Sequence, residues 1–178
     1  MDKTKRIIFL SISCAMAIVL DYIKAFIPFL NMPSGGSINI ALIPIVVCSF
    51  CLGMTDGILC GLLWWLVSSV LGLNPYFKSI IQYIVDYVLP SAAVGLCSIF
   101  YHKKNIFEIE FGILLMMLVR TILVVISGTY FWTDNVASGS LEALSISLIY
   151  NVPYNALTLI MLLIIIPLII RSLKKYMV

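Results

Sequence analysis

The chain has 178 residues, of which 62% are hydrophobic and 11% charged, with a formal net charge of +3. Its mean hydropathy is +1.14. A soluble domain of this size has about 25% charged residues, so a water-soluble fold is excluded and an all-α integral membrane protein with almost no soluble part is expected. The basic residues cluster at the ends of apolar segments, which points to a membrane and not to nucleic acid. Five cysteines (14, 48, 51, 60 and 97) all fall in apolar segments. Cys48 and Cys51 form a C-x-x-C with no second cysteine pair and no histidine cluster, so no metal site is expected.

A membrane-spanning helix needs about 20 apolar residues. Six segments qualify or nearly do: Ile7–Leu30, Asn39–Leu52, Gly57–Leu71, Ser79–Tyr101, Phe111–Phe131 and Leu141–Ile170. They make one domain over residues 1–178. The first segment is too long for a signal peptide and has no small-residue cleavage site, so it counts as a span. Lys3, Lys5, Arg6, Lys103, Lys104, Arg171, Lys174 and Lys175 then fall on one side, with only Lys78 on the other. The positive-inside rule puts both termini in the cytoplasm.

The first segment carries Ser11, Ser13, Ala15 and Ala17, two overlapping pairs of small residues four apart. Such spacing lets another helix approach closely. That helix is either one of this chain or one of a partner. Asp21 and Lys24 follow three apart, where they can pair with each other. The loop Asn31-Met32-Pro33-Ser34-Gly35-Gly36-Ser37 is uncharged and rich in Pro and Gly. It reads as a turn, or as a lid over a site. No G-x-x-x-x-G-K-[ST] phosphate loop occurs anywhere.

The second and third segments are short. Gly53, Asp56 and Gly57 suggest a tight turn between them, and Trp64 and Trp65 read as packing. Asn74-Pro75 reads as the next outer turn. The fourth segment is the most informative. Gln82 and Asp86 lie one helical turn apart, as do Tyr83 and Tyr87, giving one polar-aromatic face. At 1.5 Å per residue, Asp86 sits about 10 Å into the membrane. A carboxylate at that depth normally faces protein or a water-filled cavity. Two roles are open to it. Beside aromatic rings it would suit a flat organic cation. Alternatively it pairs with Arg120 of the fifth segment.

The fifth segment ends in Ser127-Gly128-Thr129-Tyr130-Phe131-Trp132, and a polar loop with Asp134 follows. The sixth carries Ser147, Tyr150, Asn151, Tyr154 and Asn155, with Pro153 expected to kink it. Its remainder, Leu157–Ile170, is nearly pure hydrocarbon. Polar and aromatic groups of the last three segments therefore gather in the outer half of the membrane. An outward-facing pocket is expected, not a through-channel.

Met32-Pro33-Ser34-Gly35-Gly36-Ser37 with Ile43-Pro44, then Asp86-Tyr87, Ser127-Gly128 with Phe131-Trp132, and Ser147-x-x-Tyr150-Asn151 together resemble the thiamine-binding S components of energy-coupling factor (ECF) vitamin transporters. The likeness runs along nearly the whole chain. It implies a multi-pass protein of the bacterial plasma membrane that captures thiamine from outside. It implies partners too: a transmembrane scaffold subunit and two ATPase subunits, which use the ATP, so that this chain needs no cofactor. Asp86, Tyr87, Trp132 and Asn151 match the family's ligand contacts. Gln82, Tyr83 and Gly36 are added as neighbours on the same face and loop. The family's small-residue face on the first helix meets the scaffold, here Ser11 with Ala15 or Ser13 with Ala17. The chain departs from the pattern at Val124 and Ile146, where the family has His and Tyr, and it has Asp86 where Glu also occurs. A related vitamin or precursor such as a hydroxymethylpyrimidine is thus an alternative ligand. A stand-alone secondary transporter would show internal repeats, and none is evident. An enzyme would need a catalytic constellation; the sequence places no histidine, metal cluster or paired carboxylates at membrane depth.

Overall fold

The computed structural model describes residues 2–24, 26–32, 36–73, 76–102, 105–133 and 136–173. The expected turns at Pro33–Gly35 and Asn74-Pro75, and Lys103, Lys104, Asp134, Lys174 and Lys175, lie outside the described residues.

Six long helical segments run through the described residues, as the apolar pattern predicts: α1 Lys3–Lys24, α2 Leu42–Leu52, α3 Met54–Val70, α4 Ile80–Ser98, α5 Ile106–Phe131 and α6 Leu141–Leu173. Four of them (α1, α4, α5, α6) are long and apolar enough to cross a membrane. They present broad apolar faces outward, for example Ile7, Ile12 and Val19 on α1 and Ile149, Ile164 and Leu168 on α6. In water such faces would be a liability, whereas in lipid they are the required surface.

The ends differ from expectation for local reasons. α1 stops at Lys24, and Pro28–Leu30 form a separate 3-10 turn. Pro28 has no N–H to donate, and Ile27 before it is extended (φ −108°), as the proline ring demands. α3 begins at Met54, so Asp56 and Gly57 belong to its first turn, and Gly53 alone (φ +102°) makes the corner after α2. A side chain with a Cβ rarely adopts that angle. Asp56 there takes a two-pronged hydrogen bond from Arg6 of α1, at 2.6 and 2.7 Å. α6 stays one helix through Pro153 and Pro167.

α2 is the centre of the bundle. It touches α1, α3, α6 and the last part of α4. Its 11 residues span about 16 Å at the α-helical rise, well short of a hydrocarbon core about 30 Å thick. Because neighbours cover it, it is apolar all round, the mark of a buried helix. Ile45, Val46, Cys48 and Phe50 meet Ile113 and Met116 of α5 and Leu162 and Ile166 of α6 in one continuous core.

The two small-residue pairs of α1 part company. Ser13 and Ala17 are buried in the bundle, whereas Ser11 and Ala15 are exposed. The first pair serves internal packing; the second stays on the outer face.

Candidate functional site

At the end of the bundle away from the termini the helices part around a cavity of about 550 Å³. Its walls come chiefly from α1, α3, α4, α5 and α6.

α4 supplies the central groups and is not a regular helix. Four residues of α-helix lead into a π-helical turn over Ile84–Val88, then a short α piece, then 3-10 from Ala93 to Ser98. A π-turn adds a residue to the turn and re-aims the side chains it carries, and it is common at functional sites. Here it carries Asp86 and Tyr87, and both line the cavity. The helix starts at Ser79, whose hydroxyl accepts from the Gln82 N–H (3.1 Å), a standard N-cap.

Asp86 is held from two sides. Gln82 Nε2 donates to its Oδ2 at 3.0 Å, and so does Trp132 Nε1 at 3.0 Å. Gln82 in turn accepts from the Lys78 N–H (3.1 Å). These are charge-assisted bonds that fix the carboxylate's direction. Oδ1 takes no hydrogen bond from the described residues. No ion pair joins Asp86 to Arg120 among them; Arg120 Nη1 donates to the Pro90 carbonyl instead, at 2.9 Å. Of the two carboxylates in the wall, Asp21 is paired with Lys24 at 2.7 Å, as the sequence suggests, and accepts weakly from Ser68 of α3 at 3.4 Å. Asp86 is the one held only by neutral donors.

α5 and α6 close the opposite wall. Ser147 Oγ donates to the Val125 carbonyl (2.8 Å). Asn151 Nδ2 donates to the Ser147 carbonyl (3.0 Å), and the Tyr154 hydroxyl donates to Asn151 Oδ1 (2.6 Å). A Cβ on Gly128 would collide with Ser147 Oγ, so the Ser-Gly and Ser-x-x-Tyr-Asn stretches meet as one close helix contact. Val124 and Ile146 form an apolar part of the wall.

Of the seven residues expected at the site, Asp86, Tyr87, Trp132 and Asn151 line the cavity. Gln82 is buried behind Asp86. Tyr83 stacks on Tyr87 (centroids 5.0 Å apart) and donates to Ser69 Oγ at 2.7 Å. Gly36 (φ +77°) sits against the ring of Tyr154, where a Cβ would strike it. Five wall residues carried no such expectation: Asp21, Lys24, Trp64, Trp65 and Tyr76. The Asp21–Lys24 pair was legible, but its place in the wall was not. The indole N–H groups of Trp64 and Trp65 have no hydrogen-bond partner among the described residues. Two adjacent tryptophans inside an apolar run, each needing a partner for its N–H, were the available signal.

The description "Thiamine transporter protein (Thia_YuaJ)" matches residues 7–178. The chain belongs to the thiamine transporter family. It is 32% identical over 160 residues to the thiamine transporter ThiT of Bacillus subtilis (strain 168), covering 84% of this chain and 81% of that protein. Its fold is that of ThiT from Listeria monocytogenes, with a TM-score of 0.76 over 96% of this chain and 97% of that one, at 24% identity. This family member is therefore a transport protein and not an enzyme, and a multi-pass protein of the bacterial cell membrane.

Proposed function

We propose that the chain is the substrate-capture subunit, or S component, of an ECF importer, and that its cavity receives thiamine from the outer face. The observation that carries this reading is Asp86, aimed by Gln82 and Trp132 from a π-turn into an aromatic chamber. Thiamine is a flat organic cation with an aminopyrimidine. A carboxylate lacking a cationic partner, with Tyr87 and Trp132 beside it, offers charge and stacking together. Asn151 faces the same space from α6, while Gln82, Tyr83 and Gly36 support the residues that touch the ligand. The side carrying the termini is the cytoplasmic one, by the distribution of Lys and Arg. Ser11 and Ala15 form the face that meets the scaffold subunit. The chain has no phosphate loop, so ATP is spent by partner ATPases, and the protein alone binds without a cofactor.

All three tryptophans (64, 65 and 132) line the cavity. Titrating the purified protein with thiamine therefore quenches its intrinsic emission, and Trp132→Phe removes part of that quench. Absence of quenching by thiamine, with quenching by hydroxymethylpyrimidine, would move the assignment to a precursor. Uphill uptake by the single chain in vesicles, driven by a proton or sodium gradient, would end the S-component reading.

A further inference from the structure

We propose that Lys78 is a specificity-determining residue that weakens the chamber's hold on cations by resting on the far face of Trp132. The inference depends on the thiamine reading above and concerns the same chamber. The Lys78 ammonium lies over the Trp132 ring, 4.7 Å from its centroid. Trp132 lines the cavity and Lys78 does not, so the ring is a partition between them. Tyr76 meets that ring edge-on at 6.0 Å.

The arrangement is a closed circuit. The Lys78 N–H is bonded to Gln82, Gln82 to Asp86, Asp86 to the Trp132 indole, and the indole face to the Lys78 ammonium. Each link fixes the next, so the ammonium is tethered where it is.

An indole attracts a cation to either face through the same ring quadrupole. When a ligand cation stacks on the chamber side, the two charges stand less than about 11 Å apart: the observed 4.7 Å plus the roughly 6 Å reach of such a contact. Like charges at that separation, at an effective dielectric of about 20, oppose each other by roughly a factor of ten in affinity. Partial exposure at the mouth reduces this to about three- to tenfold. The Asp86 carboxylate draws the cation in, and Lys78 sets how tightly it stays. A neutral ring of the same shape feels no such brake.

The test is a charge series at position 78, read with thiamine and with a neutral isostere whose thiazolium is replaced by thiophene. Lys78→Met keeps the side-chain length and removes the charge; Lys78→Arg keeps the charge. Lys78→Met is expected to tighten thiamine about three- to tenfold, mainly through slower dissociation, and to keep that gain at high salt. Lys78→Arg leaves thiamine within about twofold, and none of these variants moves the isostere by more than about twofold. Weaker thiamine binding by Lys78→Met, equal change for both ligands, or a gain confined to association and lost in salt would overturn the proposal. The last result would mark long-range steering, not a ring contact. A parent chain that binds neither ligand overturns the thiamine reading itself. Ligand-free emission separates that failure from a failure of the contact. Lys78→Met should shift the spectrum of the parent and not that of Trp132→Phe; identical shifts, or none, would refute the contact.

Discussion

α2 and α4 lie against each other, yet they solve opposite problems. α2 is 11 residues of unbroken α-helix, buried from Leu42 to Phe50 except for Ile43, and its one buried polar side chain, Ser49, bonds to Gly95 and Ser98 of α4. α4 takes 19 residues and four helical pieces. Where only packing is needed, the regular ladder satisfies every backbone group without help from lipid or water. Where a carboxylate and a ring must be turned into a cavity, the ladder is broken, and other side chains make good the loss, as Arg120 does at the Pro90 carbonyl. The lesson is that the hollow half is maintained by specific hydrogen bonds, and the solid half by volume.

The contrast is broken most severely in the solid half. A Cβ on Gly112 of α5 would fall on the Cys97 carbonyl of α4. Gly112→Val is expected to leave little folded protein. Size-exclusion profiles and thermal melting in detergent would show this, and a normal melt would mean that the two helices can separate freely.

Asp86→Asn tests the hollow half. The amide keeps the size and loses the charge, so melting should stay within a few degrees while thiamine binding weakens at least tenfold. That is the low end of the about 2–5 kcal/mol typical when one member of a charge pair is truncated. A marked fall in melting temperature with normal binding would move Asp86 from the ligand to the scaffolding of the bundle.

A smaller change sharpens the picture of the wall. Val124→His places a ring N–H in the apolar part of the cavity. A hydrogen bond contributes about 0.5–1.5 kcal/mol net, so calorimetry should find thiamine binding about two- to tenfold tighter. Unchanged affinity would show that the ligand does not reach Val124.

The smallest effect on binding is expected at Ala15. Ala15→Leu on the exposed face should leave affinity within about twofold but lower uptake by the assembled transporter. Ala17→Leu, at a site with no exposure, overpacks the core at a cost of about 1–3 kcal/mol and lowers the melting temperature. Equal effects of the two substitutions would mean that α1 does not keep its observed orientation.

The sequence announced the six helices because lipid imposes one simple demand, a long apolar run. It announced Asp86, Tyr87 and Trp132 as well, since a carboxylate and aromatic groups stand out against hydrocarbon. Other features had no such contrast. The π-turn adds one residue to a helical turn, and apolar periodicity is too coarse to register that; Pro90 was the nearest hint. Trp64 and Trp65 looked like core because an indole is large and apolar, and only the missing partners for their N–H groups say otherwise. Arg120 was matched with Asp86 because opposite charges at like depth invite pairing. The competing partner, a backbone carbonyl near the change from α to 3-10 helix, exists only once α4 is folded.

The bonds between α1 and α3 have a mechanical consequence. Arg6 near the start of α1 grips Asp56 at the start of α3, and Asp21 near the end of α1 takes the Ser68 hydroxyl near the end of α3. The two helices run parallel and are riveted at both extremities. A rod fixed at one point can roll about its long axis, but a rod fixed at two by side chains of set direction cannot. Rolling α1 by one residue's worth of helix, about 100° at 3.6 residues per turn, would carry Ser11 and Ala15 off the exposed face and bring other side chains there. The rivets make α1 a keel of constant heading, so whatever docks there meets the same strip of small and branched side chains whether the chamber is empty or full.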